Sequence, residues 1–223
     1  MLTERWFVRS ADVELRSIDV SFDETPVLVG VTLRVEPSEV VALLGPSGSG
    51  KSTLLRVIAG IVAPDRGTVL IDGIDVTATP THRRGVGMVF QDDQLFPHLT
   101  TLQNVAFGLK MAGVDRPTRD RVANAWLDRV GLGGFGGRAV TDLSGGEAKR
   151  VALARTLVTE PAVVLLDEPL TGLDRELHDE LIVDLHGLLH DTDATAVLVT
   201  HDVDEAASLS DRTVLLDELG GGS

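Results

Sequence analysis

The stretch Gly45-Pro46-Ser47-Gly48-Ser49-Gly50-Lys51-Ser52-Thr53 decides how this chain folds. It follows the apolar run Val40–Leu44 and precedes the helical pattern Leu54–Ala59, so the order is strand, glycine-rich loop and helix. A G-x-x-x-x-G-K-[ST] phosphate-binding loop requires this context. Glycines let successive backbone N–H groups turn toward a phosphate, and the helix beginning near Lys51 adds the positive end of its dipole. The stretch predicts an α/β fold that binds a nucleoside triphosphate.

Two side chains of this loop carry the expected chemistry. Lys51 supplies a point charge for the β- and γ-phosphates, and Ser52 supplies a hydroxyl for Mg²⁺. The alternative is a glycine-rich turn with a chance lysine, which the flanking strand and helix disfavour.

Composition limits the classes of protein that the chain can belong to. Its 223 residues are 43% hydrophobic and 24% charged, as in an ordinary soluble protein, and no apolar run approaches the roughly 18 residues that span a bilayer. The start has no signal-peptide pattern, so we expect a cytosolic chain. The absence of cysteine excludes disulfides and Cys-ligated metals, and a net charge of −14 argues against nucleic-acid binding.

The order of predicted elements suggests one domain built from two kinds of structure. Short strand-like segments over 13–76 are separated by turns, and strands alternate with helices in the second half. Residues from about 92 to 160 follow helical periods without a strand. We predict a P-loop NTPase core with a mostly parallel central sheet and an N-terminal antiparallel β region, over about 1–91 and 161–223. A helical subdomain, about 92–160, is inserted into it.

A second motif places two carboxylates at the end of a buried strand. The apolar run Val163–Leu166 delivers Asp167 and Glu168 at the edge of the sheet where ligands of α/β folds bind. Asp167 would face the magnesium of the phosphate loop, and Glu168 would orient and deprotonate an attacking water. The alternative is a solvated acidic turn, which the phosphate loop makes less favourable.

A third motif offers a second anion site. Ser144, Gly145 and Gly146 precede a helix, so Ser144 can cap it while nearby N–H groups remain free for an anion. A simple capped helix start is the alternative. Two such helix ends with one set of carboxylates suggest that the second belongs to a dimer partner's nucleotide. His201 follows strand 194–200 and could reach a γ-phosphate through Nε2, and Phe22 could stack on a purine or pack in the core.

These residues together resemble the nucleotide-binding subunit of an ATP-binding cassette (ABC) transporter over roughly residues 13–218. The resemblance implies a single ABC ATPase domain over 1–223 in which two copies sandwich two ATP molecules. Each site then joins the loop of one chain to Ser144, Gly145 and Gly146 of the other. It also implies catalytic roles for Glu168, His201 and Gln91, Mg²⁺ ligation by Ser52, Gln91 and Asp167, and a place for Asp174 at the dimer interface.

Within that family the chain resembles importers for thiamine, ferric iron, sulfate, molybdate, polyamines or sugars. The segment Phe90–Thr100 looks like the one that meets the coupling helix of a permease in such importers. The resemblance implies a peripheral subunit on the cytoplasmic side of the cell membrane, bound to permease subunits and served indirectly by an extracytoplasmic solute-binding protein. We expect a permease-docking surface over Asp92–Thr100, with packing of Leu95 and Phe96 under the helical subdomain as the alternative.

Other functions and three departures stay open at this point. An exporter or lipoprotein-release cassette uses the same motifs, and a soluble ABC ATPase acting on DNA, ribosomes or cofactor-assembly scaffolds is a further alternative. Glu147 stands where the family usually has glutamine, adding negative charge near the partner's γ-phosphate. Ser38 replaces a common glycine, which predicts an altered turn, and Thr171-Gly172 replaces the usual Ser-Ala.

Overall fold

The computed structural model describes residues 10–220. The strands are β1 (Val13–Phe22), β2 (Thr25–Val35), β3 (Val40–Leu44), β4 (Arg66–Ile71), β5 (Ile74–Asp75), β6 (Val86–Val89), β7 (Val163–Asp167), β8 (Thr195–Thr200) and β9 (Arg212–Leu215). The helices are α1 (Lys51–Ala59), α2 (Thr101–Val105), α3 (Phe107–Met111), α4 (Arg116–Arg129), α5 (Gly145–Leu157), α6 (Arg175–Asp191), α7 (Val203–Leu209) and α8 (Leu216–Leu219). Over this described range, no helix combines the length and the apolar character that crossing a membrane requires.

One sheet is antiparallel, with strand order β2-β1-β4-β5. β1 and β2 form a hairpin in which Phe22 pairs with Thr25. The two turn residues, Asp23 and Glu24, have φ values of 47° and 63°. Such left-handed pairs make the tight turn whose twist matches that of the flanking strands. The sheet confirms the predicted N-terminal antiparallel region.

The other sheet has the order β6-β7-β8-β3-β9, and β8 pairs in parallel with β7 and β3, and β3 in parallel with β9. Every residue of β3, β7 and β8 is buried, as expected for parallel strands covered on both faces. Leu44 lies opposite Thr200, and Asp167 lies opposite Val199. The carboxyl ends of β3, β7 and β8 therefore meet at one edge of the sheet. The predicted α/β class is confirmed.

Two compact units divide the described residues. The first contains residues 10–88, 161–168 and 185–220, with both sheets and α1, which packs against β7 and β8. Its apolar core joins side chains of the two sheets and α1, among them Leu15, Ile18, Leu43, Leu54, Leu55, Ile58 and Leu165.

The second unit contains residues 89–160 and 169–184, and α5 packs there against α2 and α4. The helical block predicted from the sequence spans about 92–160. Residues 169–184 join the same unit because the start of α6 packs on α5. There, Leu177 approaches Gly146, and Arg150 forms ion pairs with Glu180 and Asp184.

Candidate nucleotide site

The glycine-rich loop is shaped by its last glycine. Gly50 precedes α1 with φ 101°, a left-handed conformation that side-chain-bearing residues rarely adopt. A Cβ at this position would lie 2.9 Å from Leu28 Cδ2 and 3.0 Å from the Val27 carbonyl oxygen. Both the conformation and the space therefore require glycine. α1 begins directly after it, so the amides of its first turn, which have no partner within the helix, face the loop.

Lys51 is buried inside this loop, with 4% of the residue exposed. Its Nζ donates hydrogen bonds to the carbonyl oxygens of Gly45 (2.7 Å) and Pro46 (2.9 Å), and it forms no ion pair with a described carboxylate. Buried lysines normally face an opposite charge. Nearby, the Ser49 hydroxyl is buried and hydrogen bonded to no described group. A buried cation, an unused hydroxyl and free helix amides fit the phosphates of a nucleotide.

Ser52 joins the loop to the end of β7. Its hydroxyl donates to Asp167 Oδ1 at 2.7 Å, and Asp167 is buried with 3% exposed. A hydroxyl and a carboxylate oxygen are ligands that Mg²⁺ prefers. Ser52 and Asp167, the predicted pair, are thus in direct contact. Their oxygens fit a magnesium ion beside bound phosphates. Thr53, the next residue, is half-buried in the first turn of α1.

Glu168 and His201 lie together at the same edge of the sheet. Glu168 Oε2 is 3.5 Å from His201 Nδ1, with the Glu168 side chain 15% exposed and that of His201 57% exposed. Glu168 has φ 45°, and its amide donates to the carbonyl oxygen of Val199 at 2.9 Å. Left-handed non-glycine residues cost of order 1–3 kcal/mol and persist where their surroundings fix them, often at active sites. The hydrogen bond to Val199 holds the backbone of Glu168 in this conformation, directly after Asp167 at the end of β7.

Three other predicted residues are placed individually. Phe22 ends β1 beside the hairpin turn with 49% exposed, so it is a surface aromatic and not part of the core. Gln91 is exposed, two residues after β6, and belongs to the second unit. Asp174 precedes α6, where its Oδ1 accepts a hydrogen bond from the Leu177 amide at 3.0 Å. Their roles toward a nucleotide or a second copy stay predictions.

The start of α5 is a capped helix, as predicted, and its cap is reciprocal. The Ser144 hydroxyl accepts from the Glu147 amide at 3.3 Å, while the Ser144 amide donates to Glu147 Oε2 at 2.7 Å. This capping box leaves the Ser144 O–H bond free to donate. A Cβ at Gly146 would lie 2.5 Å from Leu177 Cδ2, so the Leu177 side chain would have to shift to admit one. The negative charge of Glu147 is thus engaged by its own helix end.

The turn before β3 places Ser38 in the left-handed conformation that glycine adopts without strain. Ser38 has φ 62°, and its amide donates to Thr195 Oγ1 at 3.0 Å. The tighter or differently shaped turn that the sequence suggested stays a prediction, and the serine itself adopts the left-handed conformation. The hydrogen bond to β8 holds it there.

The predicted docking segment is partly built into the second unit. Asn104 is fully buried, and its side chain hydrogen bonds the amide of Phe96 at 2.8 Å and the Phe96 carbonyl oxygen at 3.2 Å. The Phe96 ring lies 4.5 Å from that of Phe107, centroid to centroid. Of the two interpretations left open for Phe96, these contacts favour packing. Nothing in the sequence pattern pointed to Asn104.

Arg84 is a second buried polar residue that sequence reasoning missed. Its Nη1 donates to the carbonyl oxygens of Val57 and Ile58, both at 3.0 Å, at the end of α1. Nε and Nη2 donate to those of Thr79 and Thr77, both at 2.8 Å. Burial lowers the pKa of this guanidinium, and the more distant Asp75 opposes that effect. Arg84 therefore adds donors to carbonyls at the end of α1, where Val57 also accepts from the Gly60 amide at 3.0 Å.

Comparison with known proteins now gives the class of this chain. Residues 28–171 match the family described as ABC transporter, so the chain belongs to that family, as its motifs suggested. Membership makes it a nucleotide-binding protein, while the role of each side chain stays a prediction.

Individual relatives are import proteins. The chain is 48% identical over 204 residues to the Fe(3+) ions import ATP-binding protein FbpC of Streptomyces avermitilis, covering 92% of this chain and 59% of the relative. It is 45% identical over 213 residues to FbpC of Brucella abortus, covering 96% and 60%. With the spermidine/putrescine import ATP-binding protein PotA of Spiroplasma citri it shares 44% over 206 residues, covering 92% and 59%. The chain thus spans about three fifths of the length of these relatives.

Among solved structures, the chain is similar to the dimeric ATP-binding cassette MJ0796 in a post-hydrolysis state bound to ADP and Pi. The TM-score is 0.80 at 33% identity, over 92% of this chain and 94% of that one. This similarity supports the fold class independently of the short motifs.

Proposed function

We propose that this chain hydrolyses ATP and thereby powers import of a solute through a separate membrane permease. The observation that carries the proposal is the 2.7 Å contact of Ser52 with Asp167 beside buried Lys51. It brings a phosphate-binding cation and two magnesium-type ligands to one edge of the sheet. The relatives named for import of Fe(3+) ions and of spermidine or putrescine support the importer class.

Binding of the triphosphate falls to the loop and α1. Lys51 exchanges carbonyl contacts for phosphate oxygens, and the first-turn amides of α1 donate to the same group. Ser52 and Asp167 would hold Mg²⁺, with Gln91 as a further ligand. The ion would neutralise charge on the phosphate oxygens. The exposed ring of Phe22 offers a face on which the adenine base stacks.

The proton of the attacking water goes to Glu168. Its carboxylate acts as general base, and the left-handed backbone that carries it keeps the carboxylate next to the proposed metal ligands. His201 presents Nδ1 to Glu168, which leaves Nε2 on the other side of the ring for the γ-phosphate. Gln91 orients the water from the segment that follows β6.

Assembly completes the site in this proposal. Ser144, Gly145 and Gly146 donate to the nucleotide of a second copy, and Asp174 lies at the interface of this head-to-tail dimer. The dimeric state of MJ0796 supports the assembly of two copies. The dimer binds permease subunits on the cytoplasmic side of the membrane through Asp92–Thr100, and an extracytoplasmic solute-binding protein delivers the solute to the permease.

Phosphate release by the purified chain tests the enzymatic part. We expect turnover that requires both ATP and Mg²⁺, stops with EDTA and returns when Mg²⁺ is restored. Copurification of a tagged chain with an integral membrane protein from detergent extracts tests the transport part. A chain that binds nucleotide but releases no phosphate, alone or with its membrane partner, would contradict the proposal.

A further inference from the structure

The segment that follows Gln91 is fastened to α5 by an ion pair. Asp93 Oδ1 lies 3.6 Å from the Nζ of Lys149, which is on the second turn of α5. Only 9% of the Lys149 side chain and 22% of the Asp93 side chain are exposed. Lys149 belongs to the buried face of α5 together with Ala152, Leu153 and Thr156.

Arg155 fastens the backbone of the same segment. Its Nη1 donates to the carbonyl oxygen of Gln94 at 2.8 Å, and its Nη2 donates to that of Asp93 at 2.9 Å. Gln94 has φ 46°, a left-handed conformation that needs support from its surroundings. Two cationic side chains of α5 thus determine the path of the chain just beyond Gln91.

The buried charges of Asp93, Lys149 and Arg155 are better explained by where they place the segment after Gln91 than by a contribution to the stability of the fold. Burial raises the pKa of Asp93, and this effect outweighs the lowering by Lys149 and Arg155. Burial likewise lowers the pKa of Arg155. Buried ion pairs are often no more stabilising than apolar residues of similar size, and some are retained because they select one arrangement. The arrangement selected here is that of the Gln91 segment on α5.

We propose that Asp93 and Lys149 form a latch that positions Gln91 relative to the start of α5. They are positioning residues, because neither is placed in contact with the nucleotide. The latch makes Gln91 and the Ser144 cap parts of one rigid body within the second unit. The proposal rests on the proposed function, since it assumes that Gln91 acts on bound nucleotide.

A double-mutant cycle with Asp93→Asn and Lys149→Met tests the latch. Each single variant should lower kcat about tenfold, because small misplacement of a group that acts in the transition state is costly. The KM for ATP should stay within about twofold, since Lys51 and the loop hold the ground state. In the double variant the total loss of kcat should also be about tenfold, the same as in each single variant. Independent sites would instead give a loss of roughly hundredfold. Lys149→Arg keeps the charge and should retain most of the turnover.

Controls separate positioning from general loosening of α5. Arg150→Met removes the neighbouring cation of α5, whose described partners are Glu180, Asp184 and the carbonyl oxygen of Val130 and not the Gln91 segment. At matched nucleotide-binding stoichiometry, it should leave kcat near the wild-type value even where it lowers the melting temperature. The latch would be overturned if the kcat losses of Asp93→Asn and Lys149→Met add in the double variant, or if Arg150→Met loses as much kcat as they do. Either result would leave the proposed function standing, because the wild type remains active. A wild-type chain without any turnover would overturn the proposed function and the latch with it.

Discussion

Two helices of this protein begin at proposed phosphate-binding residues, and they are built differently. α1 begins after Gly50, which is buried and left-handed, and Lys51 in its first turn is buried as well. α5 begins after Ser144, which is exposed and extended, and a capping box with Glu147 closes its end. Both ends can donate N–H groups to an anion.

What differs is the chemistry gathered around each end. Around the start of α1, one unit supplies a cation, a hydroxyl and two carboxylates, with His201 beside the second carboxylate. Around the start of α5, the described ionic partners are Glu147 and Arg138, whose closest atoms are 4.0 Å apart. Under the proposed function, the first end would be a nearly complete nucleotide site and the second would be half of one. Changes at the first should act within the chain, and changes at the second should act on a partner.

The largest effect is expected from Lys51→Ala. Charge-assisted hydrogen bonds contribute about 1.5–3 kcal/mol each, so loss of those from Lys51 to phosphate should weaken ATP binding at least about 100-fold. Titration with a fluorescent ATP analogue measures this change. Lys110→Ala, which removes an exposed lysine of α3, is the control and should bind normally. Equal affinity in both variants would remove Lys51 from the site.

Glu168→Gln should separate binding from hydrolysis. A positioned general base contributes roughly 10²–10⁴-fold, so turnover should fall at least about 100-fold while ATP affinity is kept. ATP should then hold the variant as a dimer, because the ligand stabilises the form that binds it. Light scattering with and without ATP measures the dimer. Near wild-type phosphate release, in protein free of contaminating ATPases, would rule out the role of Glu168.

A mixed dimer distinguishes the complete site from the half site. Lys51→Ala inactivates a chain's own loop, and Ser144→Arg blocks the half site that it offers to a partner. In a dimer of one such chain with the other, one composite site carries both lesions and the other carries neither. Mixing two inactive variants should therefore restore measurable turnover. No recovery, with mixed dimers shown by differently tagged chains, would mean that the two helix ends do not share a nucleotide.

Local motifs made most of this architecture predictable. Three of these motifs are short contiguous patterns: the phosphate loop, the buried run before Asp167 and the cap at Ser144. Each predicts the helix or strand to which it belongs. β9 was not predicted because it has only four residues at a sheet edge and its side chains do not alternate between buried and exposed. Arg84 and Lys149 were not predicted because each bonds groups far away in the sequence, Val57 and Ile58 for Arg84 and Asp93 for Lys149. Only folding shows that such charged residues are buried.

A small effect is expected at the cap of α5. Glu147→Gln keeps the acceptor for the Ser144 amide, so the capping box should survive, and the removed charge near a helix start is worth about 0.3–1 kcal/mol of stability. Turnover should change less than about threefold, because the carboxylate is engaged by its own helix. Parallel measurement of kcat and of the urea midpoint tests this. A rise in kcat well beyond threefold would show that Glu147 opposes the partner's phosphate.

The smallest effect on nucleotide binding and turnover is expected at the start of β3, the strand that leads into the α1 loop. Arg212 donates to Glu39 Oε1 at 2.6 Å and Oε2 at 3.2 Å, and the Glu36 amide donates to Oε2 at 2.7 Å. Burial alone would raise the pKa of Glu39, but these hydrogen bonds outweigh it and hold the pKa below its ordinary value of 4.5. The carboxylate therefore stabilises the fold above that value and loses this contribution as the pH falls through the lowered pKa.

Arg212→Met tests whether this support of β3 is separate from nucleotide binding. The pair is partly exposed and screened by solvent, so the variant should lose only about 0.5–1 kcal/mol near neutral pH. In urea unfolding, the difference in the free energy of unfolding between the variant and wild type should become smaller as the pH falls and Glu39 is protonated, because protonated Glu39 no longer pairs with Arg212 in wild type. Arg16→Met, which breaks a more exposed pair with Glu14, serves as the matched control and should shift stability less. ATP affinity should be unchanged in both. A difference in unfolding free energy that does not change with pH would exclude the Glu39 pair as the source of the lost stability. Weakened ATP binding would show that the start of α1 depends on this distant pair.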